Sequence, residues 1–180
     1  MNRSREVSLT ASIVAIGAVA RILLGNIALG SPSPLFGILI KVGFTETLAI
    51  ATGLALGPGP GFVTGALIIV VSDLLMIPGP WTPFIAGIIG LLGFLAGIVR
   101  TRFRNPKAFK FAVMAASFTI LSEFLQNLWV SLSYNIPISA TMMTGLPSLL
   151  TAVVNNVILL TAVGPRIVRL IQSAVPKSPR

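Results

Sequence analysis

The stretch Asp73–Arg100 reads DLLMIPGPWTPFIAGIIGLLGFLAGIVR. A carboxylate closes one apolar run, Pro-Gly-Pro-Trp breaks the chain, and a second run of helix-spanning length carries no charge until Arg100. Runs of this length and polarity suit a hydrocarbon solvent, where a segment must satisfy its own backbone hydrogen bonds and is therefore helical. The rest of the chain has the same texture. Hydrophobic residues make up 54% and charged residues 9% of 180, with mean hydropathy +0.96. A soluble domain carries about 25% charge. The length is that of one domain. The expected fold is therefore all-α: a single polytopic membrane domain folded as a compact helix bundle.

Six spans are expected, over 8–28, 35–56, 61–77, 83–100, 109–133 and 143–168. Turn chemistry separates them: Gly30-Ser31-Pro32-Ser33-Pro34, Gly57-Pro58-Gly59-Pro60-Gly61, Pro78-Gly79-Pro80, Asn105-Pro106 and Asn135-Ile136-Pro137. The first run is long and lacks a cleavage-type flank, so it is expected to be a retained span. Basic residues set the orientation. Arg3 and Arg5 precede the first span. Arg100, Arg102, Arg104, Lys107 and Lys110 surround the fourth connection. Arg166, Arg169, Lys177 and Arg180 lie at the C-terminus. Six spans put all three groups on one side, so both termini are expected in the cytoplasm and the protein in the cell membrane. The net charge of +9 then reports topology, not nucleic-acid binding.

Absences narrow the chemistry. There is no cysteine and no histidine, which removes thiol catalysis, disulfides and the commonest general base and metal ligand. No paired-carboxylate or nucleophile motif is visible, so an intramembrane enzyme is disfavoured. No Walker motif is present, so the chain does not hydrolyse ATP by itself. No metal site and no cofactor are expected.

Ionisable groups inside spans are costly and usually mark function or pair with each other. Arg21, Lys41, Glu46, Asp73 and Glu123 are such groups. By depth they fall in the middle and outer bilayer, together with Gln126, Asn127 and Trp129 on the fifth span, Trp81 in an external connection, and Asn155 and Asn156 on the sixth. The cytoplasmic half is smoother. Ala11, Ala15 and Ala18 on the first span and Gly87, Gly90, Gly93 and Gly97 on the fourth recur every three or four residues, a pattern for close helix contact. The expected substrate site is the outer cluster: Glu46, Asp73, Trp81, Glu123, Gln126, Asn127, Trp129, Asn155 and Asn156. Amides and carboxylates supply hydrogen bonds there and tryptophans supply contact area. Asp73 and Glu46 could equally form ion pairs with Arg21 or Lys41, Asn155-Asn156 could be a helix clasp, and the tryptophans could be interfacial belt residues.

From Val42 to Gly97 the chain resembles the substrate-binding S components of energy-coupling factor importers. The resemblance rests on VGFTETLAIATGLALGPGPGFVTGALIIVVSDLL, with Gly59, Pro60, Phe62, Gly65 and Asp73, and on GPWTPFIAGIIGLLGFLAG. It implies a six-helix bundle that captures a vitamin from outside, then associates with a transmembrane coupling subunit and two cytoplasmic ATPases and tips over to release it. It also implies a coupling-subunit interface on the first helix at Ala11 and Ala15, with Ala18 one turn further, and a ligand-covering loop at Asn26–Leu35. Gly79 to Phe84, GPWTPF, looks most like the cobalamin-type subgroup. The covering loop has only Phe36 as a nearby aromatic, which speaks against a flat-ring site of the riboflavin or thiamine kind. The competing expectation is a self-sufficient proton- or ion-coupled secondary transporter using Glu46, Asp73 and Glu123. Against it stand the lack of an internal repeat and the apolar cytoplasmic half.

Overall fold

The computed structural model describes residues 3–29, 43–103 and 108–174; side chains at 3, 24–29, 102 and 103 are not described. Lys41, the Asn26–Leu35 loop side chains, Phe36, Arg104, Lys107, Lys177 and Arg180 therefore lie outside the described residues, as does the start of the second expected span. All regular structure among the described residues is helical: α1 Arg3–Leu29, α2 Phe44–Leu56, α3 Pro58–Leu75, α4 Thr82–Val99, a 3-10 turn Arg100–Phe103, α5 Ala108–Tyr134, α6 Ile138–Ala162 and α7 Gly164–Ala174. Five of these are long and apolar enough to cross a membrane, within α1 and along α3, α4, α5 and α6; α2 is apolar but shorter. Large apolar side chains such as Leu75, Ile77, Phe109, Leu132 and Met143 are exposed on the outside. Together these features describe a polytopic helical membrane protein.

Neighbouring helices alternate in direction. Gly97 at the end of α4 meets Pro58 at the start of α3, Phe111 near the start of α5 meets Gly164 after α6, and Phe84 at the start of α4 meets Trp129 near the end of α5. α1 runs parallel to α3, with Gly17 on Ile68 and Arg21 on Asp73. One end of the bundle thus carries Arg100, Lys110, Arg166 and Arg169. The other carries Trp81, Trp129 and Tyr134. We call these the basic end and the aromatic end.

At the basic end, α2, α3 and α4 pack almost backbone to backbone. A Cβ on Gly93 would lie 2.2 Å from the Gly61 carbonyl oxygen, and one on Gly53 would lie 2.1 Å from the Gly93 oxygen. Only glycine allows that approach. Three rungs of the expected glycine ladder, Gly90, Gly93 and Gly97, face α3; a Cβ on Gly87 would meet nothing within 4 Å. The run Gly57–Gly61, expected as a loop, contributes a single non-helical residue. Gly57 turns the chain at φ 117°, ψ −177°, and Pro58 opens α3. Proline is suited there because the first turn of a helix needs no amide donor. Arg100 donates to the Leu56 carbonyl at 2.9 Å and closes the last turn of α2, where a cation also meets the negative end of the helix dipole.

The last helices differ from the expected run at 143–168. α6 starts directly after Pro137 and ends at Ala162; a separate helix, α7, follows. Pro165 has no amide hydrogen to continue the ladder of α6, and it falls in the first turn of α7, where none is needed. The Val163 carbonyl starts the new helix by accepting from Arg166 and Ile167, both at 3.0 Å. α7 is amphipathic: Ile171 is buried, Ile167 and Val168 pack onto the core, and Arg166, Arg169 and Leu170 are exposed. Asn135, at φ 53°, makes the turn between α5 and α6, a conformation asparagine tolerates better than most residues.

Candidate functional site

The expected site residues separate into four places. Asp73 is inside the bundle, with its side chain 5% exposed. Its Oδ1 meets Arg21 Nη1 of α1 at 2.5 Å, and its Oδ2 accepts from Thr82 Oγ1 of α4 at 2.7 Å. Arg21 also donates to Ser72 Oγ at 2.6 Å. The open choice for Arg21 among the acids thus resolves to Asp73. Both carboxylate oxygens are engaged by protein groups, so Asp73 ties α1 and α4 to α3. A buried pair with its remaining lone pairs satisfied is the tolerable form of such an ion.

Beside this tie lies an aromatic recess of about 280 Å³ between the start of α4 and the end of α5. Trp81, Phe84, Gln126, Trp129 and Tyr134 line it, with Ile85, Ile88 and Val130. Trp129 is the hinge of the aromatic wall: its ring centroid is 5.4 Å from that of Phe84, tilted by 39°, and 6.2 Å from that of Tyr134, edge-on at 83°. Gln126 reaches back to Ser122 Oγ at 3.0 Å. Phe84 and Tyr134 were not anticipated as site residues. The signal was there: Phe84 falls three residues after Trp81, and Tyr134 five after Trp129, so each pair lies at one helix end.

A second recess, of about 320 Å³, opens on the other flank of α5, toward α6. Glu123 and Asn127 line it with Phe124, Met142, Gly145 and Leu149. Glu123 is 8% exposed, and its carbonyl accepts from Asn127 Nδ2 at 2.8 Å. Pro147 interrupts the α6 ladder beside this recess.

Glu46 and Asn156 occupy the fourth place, a closed interior junction of α2, α5 and α6 with Thr47 and Thr119 and no room for a ligand. Asn156 Nδ2 donates to Thr119 Oγ1 at 2.8 Å, a clasp between α5 and α6. Its Oδ1 has no hydrogen-bond partner among the described residues and fills the space where a Cβ on Gly43 would sit. Asn155 is half-buried on the neighbouring face.

The alanines of α1 divide. Ala11 and Ala15 are exposed, in a stripe with Ser8, Ser12, Ile16 and Val19. Ala18 is 2% exposed and belongs to the packed face. The reason is geometric: three residues advance a helix by about 300°, which carries position 18 back from position 15 toward the bundle. Among the described residues no cluster of acids could hold a metal ion.

A multi-span helical membrane protein with a concave, mostly apolar recess, half of its lining aromatic, at one end of its bundle has an architecture suited to binding a small molecule. The chain belongs to the family described as ECF-type riboflavin transporter, S component, whose model matches residues 1–170. Neither the curated proteins nor the solved structures include a match. Membership makes the protein an S component of an energy-coupling factor transporter for vitamin uptake, a transport protein of a non-enzyme family. Nothing in the match favours the cobalamin-type subgroup.

Proposed function

We propose that this protein captures riboflavin, or a flat-ring vitamin close to it, in the recesses at its aromatic end. The observation that carries this reading is the wall of Trp81, Phe84, Trp129 and Tyr134 around a recess of about 280 Å³. Offset and edge-on aromatic surfaces suit a flat fused ring, and they gain interaction beyond the area buried. The family's description supports the same substrate. Cobalamin, expected from GPWTPF, is a far bulkier ligand. Those residues are better explained as the turn and one wall of this recess. The aromatic surface that the covering loop lacks comes from α4 and α5 instead.

The basic end faces the cytoplasm in this reading, because Arg100, Lys110, Arg166 and Arg169 gather there. Uptake is inward and driven by a partner in this reading, since the sequence carries no Walker motif. A coupling subunit, with two ATPases, docks on the exposed stripe of α1 at Ala11 and Ala15, where small side chains allow close helix contact.

Native mass spectrometry of the detergent-purified protein against a vitamin panel tests the substrate. One bound riboflavin, with cobalamin unbound, is the expected result; cobalamin bound in preference overturns it. Ala15→Trp tests the docking face: riboflavin binding should persist while association with the coupling module is lost. Association unchanged in that variant would remove α1 as the docking helix.

A further inference from the structure

The tie at Asp73 does more than join helices. Its Oδ2 accepts from the hydroxyl of Thr82, the first residue of α4, and that same hydroxyl oxygen accepts from the Gly79 amide at 3.2 Å. The Thr82 amide in turn donates to the Gly79 carbonyl at 3.0 Å. Residues 79–82 are thus closed twice into one tight turn, hung on Asp73. Trp81 sits inside that turn. Its ring lies over Gly79, where a Cβ would come within 2.4 Å of the indole. Phe84 follows half a turn along α4. Two of the four aromatic walls of the recess are therefore carried by a segment whose position one buried carboxylate fixes.

The other oxygen of Asp73 is held by Arg21. Arg21 also donates to Ser72, whose own hydroxyl donates to the Ile68 carbonyl at 2.6 Å. The aspartate is thereby pinned from α1 while it pins α4. Hydrogen bonds to charged groups are short and strong, and at Asp73, whose side chain is 5% exposed, they lock geometry. Neither Arg21 nor Asp73 lines the recess.

We infer that Arg21, Asp73 and Thr82 form a positioning relay that holds Trp81 and Phe84 in place to bind the vitamin, without touching it. The inference rests on the flat-ring reading of the recess, and its test separates the two. Thr82→Val removes the hydroxyl while leaving the Arg21–Asp73 pair and the shape of the side chain. Thr82→Ser keeps the hydroxyl. Two measurements are made on the full chain in detergent.

The first needs no ligand. In a Trp129→Phe background Trp81 is the sole tryptophan, so its emission maximum and its quenching by acrylamide report the turn directly. Thr82→Val should shift the emission to the red and increase quenching, and Thr82→Ser should restore both. The second is riboflavin titration of the otherwise wild-type chain. Thr82→Val should weaken the dissociation constant about tenfold, the scale of one lost hydrogen bond to a charged group, and Thr82→Ser should recover it. Unchanged Trp81 emission and quenching in Thr82→Val overturns the relay, whatever the ligand. So does a shifted Trp81 with unchanged riboflavin affinity. A wild-type chain that ignores riboflavin overturns the flat-ring reading instead, and the relay then stands or falls on the tryptophan signal.

Discussion

The two ends of α4 obey different rules. Its second half is glycine set against the glycines of α2 and α3, so close that an added Cβ on Gly93 would lie 2.2 Å from a neighbouring oxygen. The turn before it and its first half carry Trp81 and Phe84 beside an open recess, and a Cβ on Gly87 would meet nothing within 4 Å. One end is closed by backbone contact, and the other leaves open space beside its side chains. The lesson is that the same residue type, at the same helical spacing, has opposite meaning at the two ends. Gly87 and Gly93 look alike until their neighbours are known.

Substitutions can break that contrast. The largest effect is expected from Gly93→Val, which forces α3 and α4 apart. Overpacking on rigid backbone should cost about 3 kcal/mol or more, read as loss of the monodisperse peak in fluorescence-detected size exclusion. Next comes the open end: Trp129→Ala removes the ring that contacts both Phe84 and Tyr134. Riboflavin affinity should fall roughly 30-fold, the scale of an aromatic anchor worth about 2 kcal/mol, with the chain still folded; titration by tryptophan or flavin fluorescence reads it. Gly57→Ala returns to the closed end. Its φ of 117° is a region side chains avoid, and the new methyl would approach Arg100 Nη1 at 2.8 Å; a loss of about 1–3 kcal/mol is expected, seen as a lowered thermal midpoint. Arg100→Gln should cost about 1 kcal/mol through the lost cap on Leu56, in the same assay. Gly87→Ala should be neutral or stabilise by up to about 1 kcal/mol, since alanine is the better helix former and space is open. A destabilised Gly87→Ala would show that the start of α4 is as tightly packed as its end.

Much of the fold could be read along the chain because the solvent imposes it. Span length, the Pro-Gly breaks and the clustering of Arg and Lys are local properties, and they gave an all-helical membrane bundle and a family resemblance that the match over residues 1–170 supports. What required the fold was anything depending on which helix adjoins which. Arg21 could have met any of three acids, and only the parallel packing of α1 on α3 selects Asp73. Asp73 resembles a site acid in sequence because an intramembrane carboxylate is functional about as readily as it is structural. Its partner Thr82, nine residues later across a Pro-Gly-Pro turn, gave no sign of the link. Ala18 shared the spacing of Ala11 and Ala15 but falls on the buried side. The break before α7 did have a signal, Gly164-Pro165, hidden within a long apolar run.

Gly57 also bears on motion. α2 and α3 meet across a single residue, and the same two helices are seated on α4 through Gly53, Gly61 and Gly93. A connection that short has no slack. Sliding any one of these helices would drive backbone into backbone. The three form a tightly seated unit, and among the described helices α1 packs on one flank of it and the α5–α6 pair on the other.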